Sequence, residues 1–187
     1  MNSNMRIALD LDDTIIDTDE FLLNQMSYFY HVDREYLINN NYSYINMSDE
    51  LKKQEKNFIQ EMFENKLLKI PLKTNAKENI NKLFEQGNEI YIITSRHFFK
   101  DVYNSTFRQL NNYGIKFTKL ICTKNKKDAC INNKIDVFVD NSLSNTREVE
   151  NYVKSIFVFE SRYNKNKDKG IKKVKDWEEL YTLISNL

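Results

Sequence analysis

The sequence predicts an α/β fold: a Rossmann-like parallel sheet with a small helical cap inserted after its first strand. Three observations carry this. Ile7-Ala8-Leu9 is an apolar run without polar alternation, as expected of a parallel strand covered on both faces. From Ala76 onward, stretches of helical periodicity alternate with short apolar runs, the pattern of right-handed crossovers between parallel strands. Before Pro71, helical patterns occur alone, which is how an insertion after the first strand would read. The expected division is a core of residues 1–16 and 72–187 and a helical cap of residues 17–71.

Taken in order, the first strand stops at Asp10-Leu11-Asp12-Asp13-Thr14, since Asp disfavours strands and favours turns and caps. A helix then places Leu22, Met26 and Phe29 on one stripe, with Phe21, Gln25 and Tyr28 beside it. Asn39 to Tyr44 reads as a loop. Ser48 is the expected N-cap of a second long helix through Phe58, Ile59, Met62, Phe63 and Leu67. The core resumes with a helix over Ala76–Gln86, its Ile80, Leu83 and Phe84 inward and Gly87 as its stop. Strand Ile90–Ile93 ends in Thr94-Ser95-Arg96, and a helix closed by Gly114 follows. Strand Leu120–Cys122, a short helix near Asp128–Asn133 and strand Ile135–Val139, stopped by Asp140-Asn141, come next. Helix Thr146–Val153, strand Ile156–Phe159 and a capped helix from Asp176 complete the run. The six lysines between Lys165 and Lys175 read as a solvated loop rather than an anion site.

The bulk numbers exclude several classes. A chain of 187 residues with 41% hydrophobic and 13% aromatic residues holds a real core, which argues against disorder. With 28 Lys plus Arg against 27 Asp plus Glu, the charge of +1 gives no bulk attraction to nucleic acid or anionic membrane. Cys122 and Cys130 lack zinc or disulfide spacing, so a reduced, cytoplasmic setting is expected. No signal-peptide pattern or run of membrane-spanning length is present, and a soluble protein is expected.

The strand ends carry the chemistry. Asp10 and Asp12 follow the first strand, Thr94 the second, a lysine among Lys124, Lys126 and Lys127 the third, and Asp140 the fourth. Carboxylates crowded at the carboxyl edge of a sheet repel one another and call for a hard cation such as Mg²⁺. Each residue alone has an ordinary reading as a cap or turn; their joint occurrence is the signal. A calcium loop of the EF-hand type is excluded, because its sixth and twelfth positions are Ile15 and Phe21 rather than Gly and Glu.

In this order and spacing the chain resembles the haloacid dehalogenase-like phosphohydrolases, whose pattern is Asp-x-Asp-x-Thr, Ser/Thr, Lys and a late acidic motif. Ile90–Arg96, Ile135–Asn141 and Trp177 resemble, more narrowly, bacterial relatives of the 5′(3′)-deoxyribonucleotidases. The resemblance implies Asp10 as nucleophile through an aspartyl-phosphate, and Asp12 as the acid and then the base. It implies Mg²⁺ held by Asp10, Asp12 through its backbone carbonyl, and Asp140. Thr94 and Ser95 would contact the transferring phosphoryl group. A lysine would offset its charge, Lys126 by spacing and Lys127 as second choice. For Arg96 two roles stay open: gripping the substrate phosphate or sugar, or pairing with an acid. The late acidic motif often reads Asp-Asp; here it is Asp140-Asn141, which predicts weaker metal affinity.

The implied activity is dephosphorylation of a small nucleoside monophosphate, with no stable nucleic-acid partner, no membrane partner, and a homodimer left open. Lid aromatics (Phe21, Tyr28, Phe29, Tyr44) are read as cap core before base-stacking groups. His31 and His97 have no partners at metal spacing. A phosphatase of another small monoester or a polynucleotide end is the alternative within the class. A dehalogenase would have no use for Asp12 as proton donor. A receiver-type phospho-acceptor places its lysine last, whereas Asp140 follows the lysine here; a silent binding relative would not need the acids.

Overall fold

The computed structural model describes residues 4–42, 56–58, 61, 62, 66–97, 100–165 and 170–187. Ser48, Leu51, Ile59 and Phe63 of the expected second cap helix, and Tyr44, lie outside the described residues. The chain forms two compact units, Met1–Ile16 with Leu72–Leu187, and Asp17–Pro71.

The larger unit is built on six parallel strands in the order β3-β2-β1-β4-β5-β6. They are β1 (Arg6–Leu9), β2 (Glu89–Thr94), β3 (Lys119–Cys122), β4 (Val137–Asp140), β5 (Ser155–Phe159) and β6 (Lys172–Val174). β1 lies between β2 and β4, with Ile7 opposite Ile90 on one side and Val137 on the other. Its Ile7, Ala8 and Leu9 are fully buried, which is why the run carries no polar alternation. After β3 the chain crosses back over β1 to form β4, so the winding direction reverses between β1 and β4. At such a switch point the loops leaving the carboxyl ends diverge and open a crevice for a ligand. Asp10 and Asp140 are placed there by their strands.

Between the strands run α3 (Ala76–Glu85), α4 (Val102–Asn112), α5 (Lys126–Asn132) and α6 (Leu143–Val149), and α7 (Trp177–Ser185) closes the chain. Gly87 and Gly114 end their helices at φ of 93° and 68°, a left-handed region open to glycine without a Cβ penalty. Ile80 and Leu83 of α3, with Leu180 and Ile184 of α7, are fully buried.

Several boundaries differ from those expected from sequence. α5 starts at Lys126 rather than near Asp128, because the Asn125 side chain accepts from the Asp128 N–H at 3.0 Å and caps the helix there. α6 starts at Leu143, with Ser142 as its cap, and ends at Val149. β4 begins at Val137 and includes Asp140. The lysine-rich segment is not wholly a solvated loop. Val174 is fully buried and Ile171 nearly so, β6 pairs with β5, and Lys173 Nζ donates to the carbonyls of Asn164 (2.5 Å) and Lys165 (3.1 Å). The lysines masked a strand whose apolar content is only two residues.

Trp177 ties the end of the chain to its beginning. Its ring is fully buried beside Phe159, and its indole Nε1 donates to the Thr14 carbonyl at 2.9 Å. That carbonyl belongs to the turn carrying Asp10 to Asp13. Replacing Trp177 with Ala is expected to destabilise the protein by about 3–5 kcal/mol in urea unfolding, through a cavity and an orphaned carbonyl. A loss under about 1 kcal/mol would show that Trp177 does not anchor this turn.

The smaller unit holds α1 (Thr18–Tyr30), α2 (Arg34–Asn39) and a 3₁₀ turn at Leu67–Lys69. α1 buries Leu23, Met26 and Tyr30, so its inner face is rotated one residue from the expected stripe. Tyr28 accordingly points to solvent and is 75% exposed. Phe29 packs edge-on against Tyr30 and Phe58 at 5.0 and 5.4 Å between ring centres, an aromatic core for this unit. The short α2, capped by Asp33, has too few turns to show a helical stripe and was not expected from the sequence. Arg34 pairs with Glu20 across the α1–α2 corner at 2.6 and 2.5 Å.

Candidate active site

The turn after β1 is made by residues that tolerate it. The Leu11 carbonyl accepts from the N–H groups of Thr14, Ile15 and Ile16, and Asp13 sits at φ 59°, a left-handed conformation that Asp adopts more readily than most residues. Leu11, Ile15 and Ile16 are fully buried and pin the turn. The Asp10 N–H donates to the Val139 carbonyl at 2.9 Å, extending the β1–β4 ladder and fixing Asp10 beside Asp140.

Lys126 joins these two acids. Its Nζ donates to Asp10 Oδ1 at 2.5 Å and to Asp140 Oδ2 at 2.7 Å, and its side chain is 3% exposed. As the first residue of α5, Lys126 owes this position to the Asn125 cap. Lys127 turns away, its ammonium over the Tyr152 ring at 5.3 Å. Asp140 is fully buried and accepts further from the Ser142 N–H at 2.7 Å and Asn145 Nδ2 at 2.9 Å. Asn164, also buried, donates to the carbonyls of Asn141 (2.7 Å) and Phe159 (3.0 Å) and ties the ends of β4 and β5.

The electrostatics follow from this crowding. Burial is the largest influence on Asp10 and pushes its carboxyl up to about 7; the Lys126 ammonium opposes the shift, and the charges of Asp140 and Asp12 add to it. Burial acts to lower Lys126, but the two carboxylates outweigh it and hold the ammonium above its ordinary value. Asp10 is therefore kept from ionising mainly by its removal from water, with the neighbouring acids adding to the effect and Lys126 working against it.

Thr94, at the end of β2, is buried, and its Oγ1 accepts the Arg96 N–H at 3.3 Å. Ser95 is half-buried. The Arg96 side chain is turned onto an acid: Nε and Nη2 donate to the two oxygens of Asp12, each at 2.8 Å, and Nη1 donates to Gln109 Oε1 at 2.6 Å. Of the two roles left open for Arg96, the geometry shows the ion pair.

Asp10, Asp140 and Lys126 are thus brought into direct contact, and Asp12 and Arg96 form a separate pair. Among the described residues, no group of three His, Cys, Asp or Glu side chains converges as a ready metal cage. The reason is visible in the pairing, since Asp12 is held by Arg96 while Asp10 and Asp140 share Lys126. Two carboxylates at one position suit Mg²⁺, which commonly takes one or two from protein and completes its shell with phosphate and water. Burial is the largest cause of the raised Asp10 carboxyl, and the neighbouring acids add to it.

Gln109, Asn145 and Asn164 were not singled out from sequence. Gln109 left one trace, a large polar residue beside Leu110 on the inward stripe of an amphipathic helix. The cysteines take no part. Burial raises both thiols, that of Cys130 to about 12, which leaves no thiolate for chemistry at neutral pH. His31 ends α1 in a left-handed conformation, and His97 is exposed.

Among curated protein sequences none matches the chain. Among solved structures, a predicted phosphatase from Clostridium acetobutylicum shares 13% identity over 99% of this chain and 100% of its own, with a TM-score of 0.67. A predicted phosphoglycolate phosphatase from Haemophilus somnus shares 16% over 98% and 99%, also at 0.67. A hydrolase of the haloacid dehalogenase superfamily from Ehrlichia chaffeensis shares 15% over 100% and 98%, at 0.59. These likenesses establish the fold. The family described as "5′ nucleotidase, deoxy (pyrimidine), cytosolic type C protein" matches residues 4–187, nearly the whole chain. The chain belongs to that family, and is a phosphomonoester hydrolase of the haloacid dehalogenase-like, nucleotidase-related kind.

Proposed function

We propose that the protein is a Mg²⁺-dependent phosphomonoesterase working through an aspartyl-phosphate, with small nucleoside monophosphates as substrates. The observation that carries the reading is Lys126 bridging Asp10 and Asp140 at the sheet's switch point. Asp10 is the nucleophile. Its carboxylate oxygen bonds to phosphorus as the bond to the leaving oxygen breaks, and Asp12 supplies the proton that oxygen needs. Asp12 then takes a proton from water as the water oxygen attacks phosphorus and frees Asp10. Lys126 holds Asp10 in place and offsets phosphoryl charge; the Thr94 hydroxyl and Ser95 orient the phosphoryl oxygens. Mg²⁺, held by the Asp10 and Asp140 carboxylates and the Asp12 carbonyl, would supply the remaining charge neutralisation.

The nucleotide preference rests on family membership, and the helical unit of residues 17–71 is proposed as the cap that discriminates among leaving groups. No helix among the described residues is long and apolar enough to cross a membrane. Phosphate release is to be measured from deoxy- and ribonucleoside 5′- and 3′-monophosphates alongside sugar phosphates, with Mg²⁺ and with excess chelator. The reading predicts Mg²⁺-dependent turnover with nucleotides preferred. Turnover of sugar phosphates alone would overturn the nucleotidase assignment, and turnover unchanged by chelator would overturn the metal.

A further inference from the structure

Arg96 stands where a residue gripping substrate would be poorly placed. Its side chain is only 1% exposed, and all three guanidinium nitrogens donate within the protein. Behind it, Gln109 of α4 is itself 1% exposed and accepts from Nη1 at 2.6 Å. In front of it, Asp12 takes Nε and Nη2 on its two oxygens at 2.8 Å each, while its own side chain keeps 28% exposure. The result is a chain Gln109–Arg96–Asp12 whose rear is buried and whose front carboxylate reaches solvent. A two-pronged pair fixes the plane of a carboxylate as well as its position; an ammonium fixes only a point. A buried ion pair adds little stability over an apolar replacement, so what the chain provides is orientation.

We infer that Arg96, backed by Gln109, is the positioning residue of Asp12 and not a ligand of the substrate phosphate. This rests on the phosphomonoesterase reading given above. Asp12 gives its proton to the leaving oxygen as that oxygen's bond to phosphorus breaks and the Asp10–phosphorus bond forms. It regains a proton from water as the water oxygen bonds to phosphorus and the Asp10–phosphorus bond breaks. One carboxyl serves both transfers, so its orientation enters both. In the proton-donating form, the oxygen carrying the proton leaves the fork and Arg96 keeps the other.

Arg96→Lys keeps the charge and loses the fork; Gln109→Leu removes the backing without touching Asp12. With a nucleoside monophosphate, Arg96→Lys is expected to lower kcat about 10- to 100-fold, with KM and inhibition by inorganic phosphate unchanged within about twofold. With an aryl phosphate whose phenolate leaves without a proton, the first step is spared, and a burst of phenolate matching the enzyme precedes a slow steady state. Gln109→Leu gives the same pattern more weakly, and Arg96→Lys in the Asp12→Asn background adds no further loss. A rise in KM and in the phosphate inhibition constant with kcat intact, or losses that multiply in the double variant, would overturn the inference.

Crystals of the wild type and of Arg96→Lys soaked with inorganic phosphate give a readout free of turnover. The inference predicts Arg96 on Asp12 in the wild type and Asp12 displaced in the variant; Arg96 on the phosphate, or Asp12 unmoved, contradicts it. A wild type that hydrolyses no phosphomonoester would overturn the phosphatase reading, and the crystals alone then decide the role of Arg96.

Discussion

Asp10→Asn is expected to abolish phosphomonoester hydrolysis, by about four orders of magnitude or more, and at the same time to make the protein more stable. The first effect follows from removing the attacking oxygen. The second follows from the cost of keeping that oxygen charged. An aspartate in the unfolded chain titrates near 3.8, whereas Asp10 in the folded protein is raised to about 7. Between these values the folded state holds a proton that the unfolded state has lost, so stability falls as pH rises through the window and is lowest above it. Asparagine carries no such charge. At pH 8 without divalent metal, the variant should gain about 2–4 kcal/mol in urea unfolding, and near pH 3 the two proteins should match. A variant that is inactive yet no more stable at pH 8 would show that Lys126 already balances the site, and the case for an additional cation would weaken.

Lys126→Met has the opposite sign for stability. The ammonium lies between two buried carboxylates at 2.5 and 2.7 Å, and its removal leaves both without their shared partner. About 3–5 kcal/mol of stability should be lost at pH 8, with part regained toward pH 5 as a freed carboxylate takes up a proton. Turnover should fall at least about 100-fold, because the lysine both holds the nucleophile and offsets phosphoryl charge. Lys127→Met is the control. Its ammonium lies over Tyr152, and the substitution should cost no more than about 1 kcal/mol and leave kcat unchanged. Equal losses from the two variants would remove the distinction between these neighbouring lysines.

How much of this was legible in advance depended on the range of the interaction. β1 and its acids were readable because a fully buried parallel strand leaves an uninterrupted apolar run, and Asp ends it. Thr94 and Asp140 were readable for the same reason, each standing where an apolar run stops. β6 was not, since its burial rests on Ile171 and Val174 alone, amid lysines whose stems and ammonium groups serve packing and carbonyl capping. The start of α5 was obscured by two cap formers three residues apart, Asn125 and Asp128, of which Asn125 is the cap and Asp128 its hydrogen-bond partner.

The partners of the site residues were out of reach for another reason. Arg96 meets Asp12 across 84 positions and Lys126 meets Asp10 across 116, and no local pattern encodes such pairings. The family resemblance, with the spacing to Cys130, pointed to Lys126; nothing local pointed from Arg96 to Asp12. The α1 stripe was misjudged by one position because Leu22 and Leu23 are equally apolar, and only packing against Phe58 and its neighbours decides between them.

The central claim is that Asp10 becomes bonded to phosphorus during turnover. It is tested most directly by quenching the enzyme in acid during steady-state hydrolysis with Mg²⁺, reducing the acyl-phosphate with borohydride, and sequencing the labelled peptide by mass spectrometry. The account predicts modification at Asp10, absent when substrate is omitted. Modification at another residue, or rapid hydrolysis with Asp10 never modified, would contradict it.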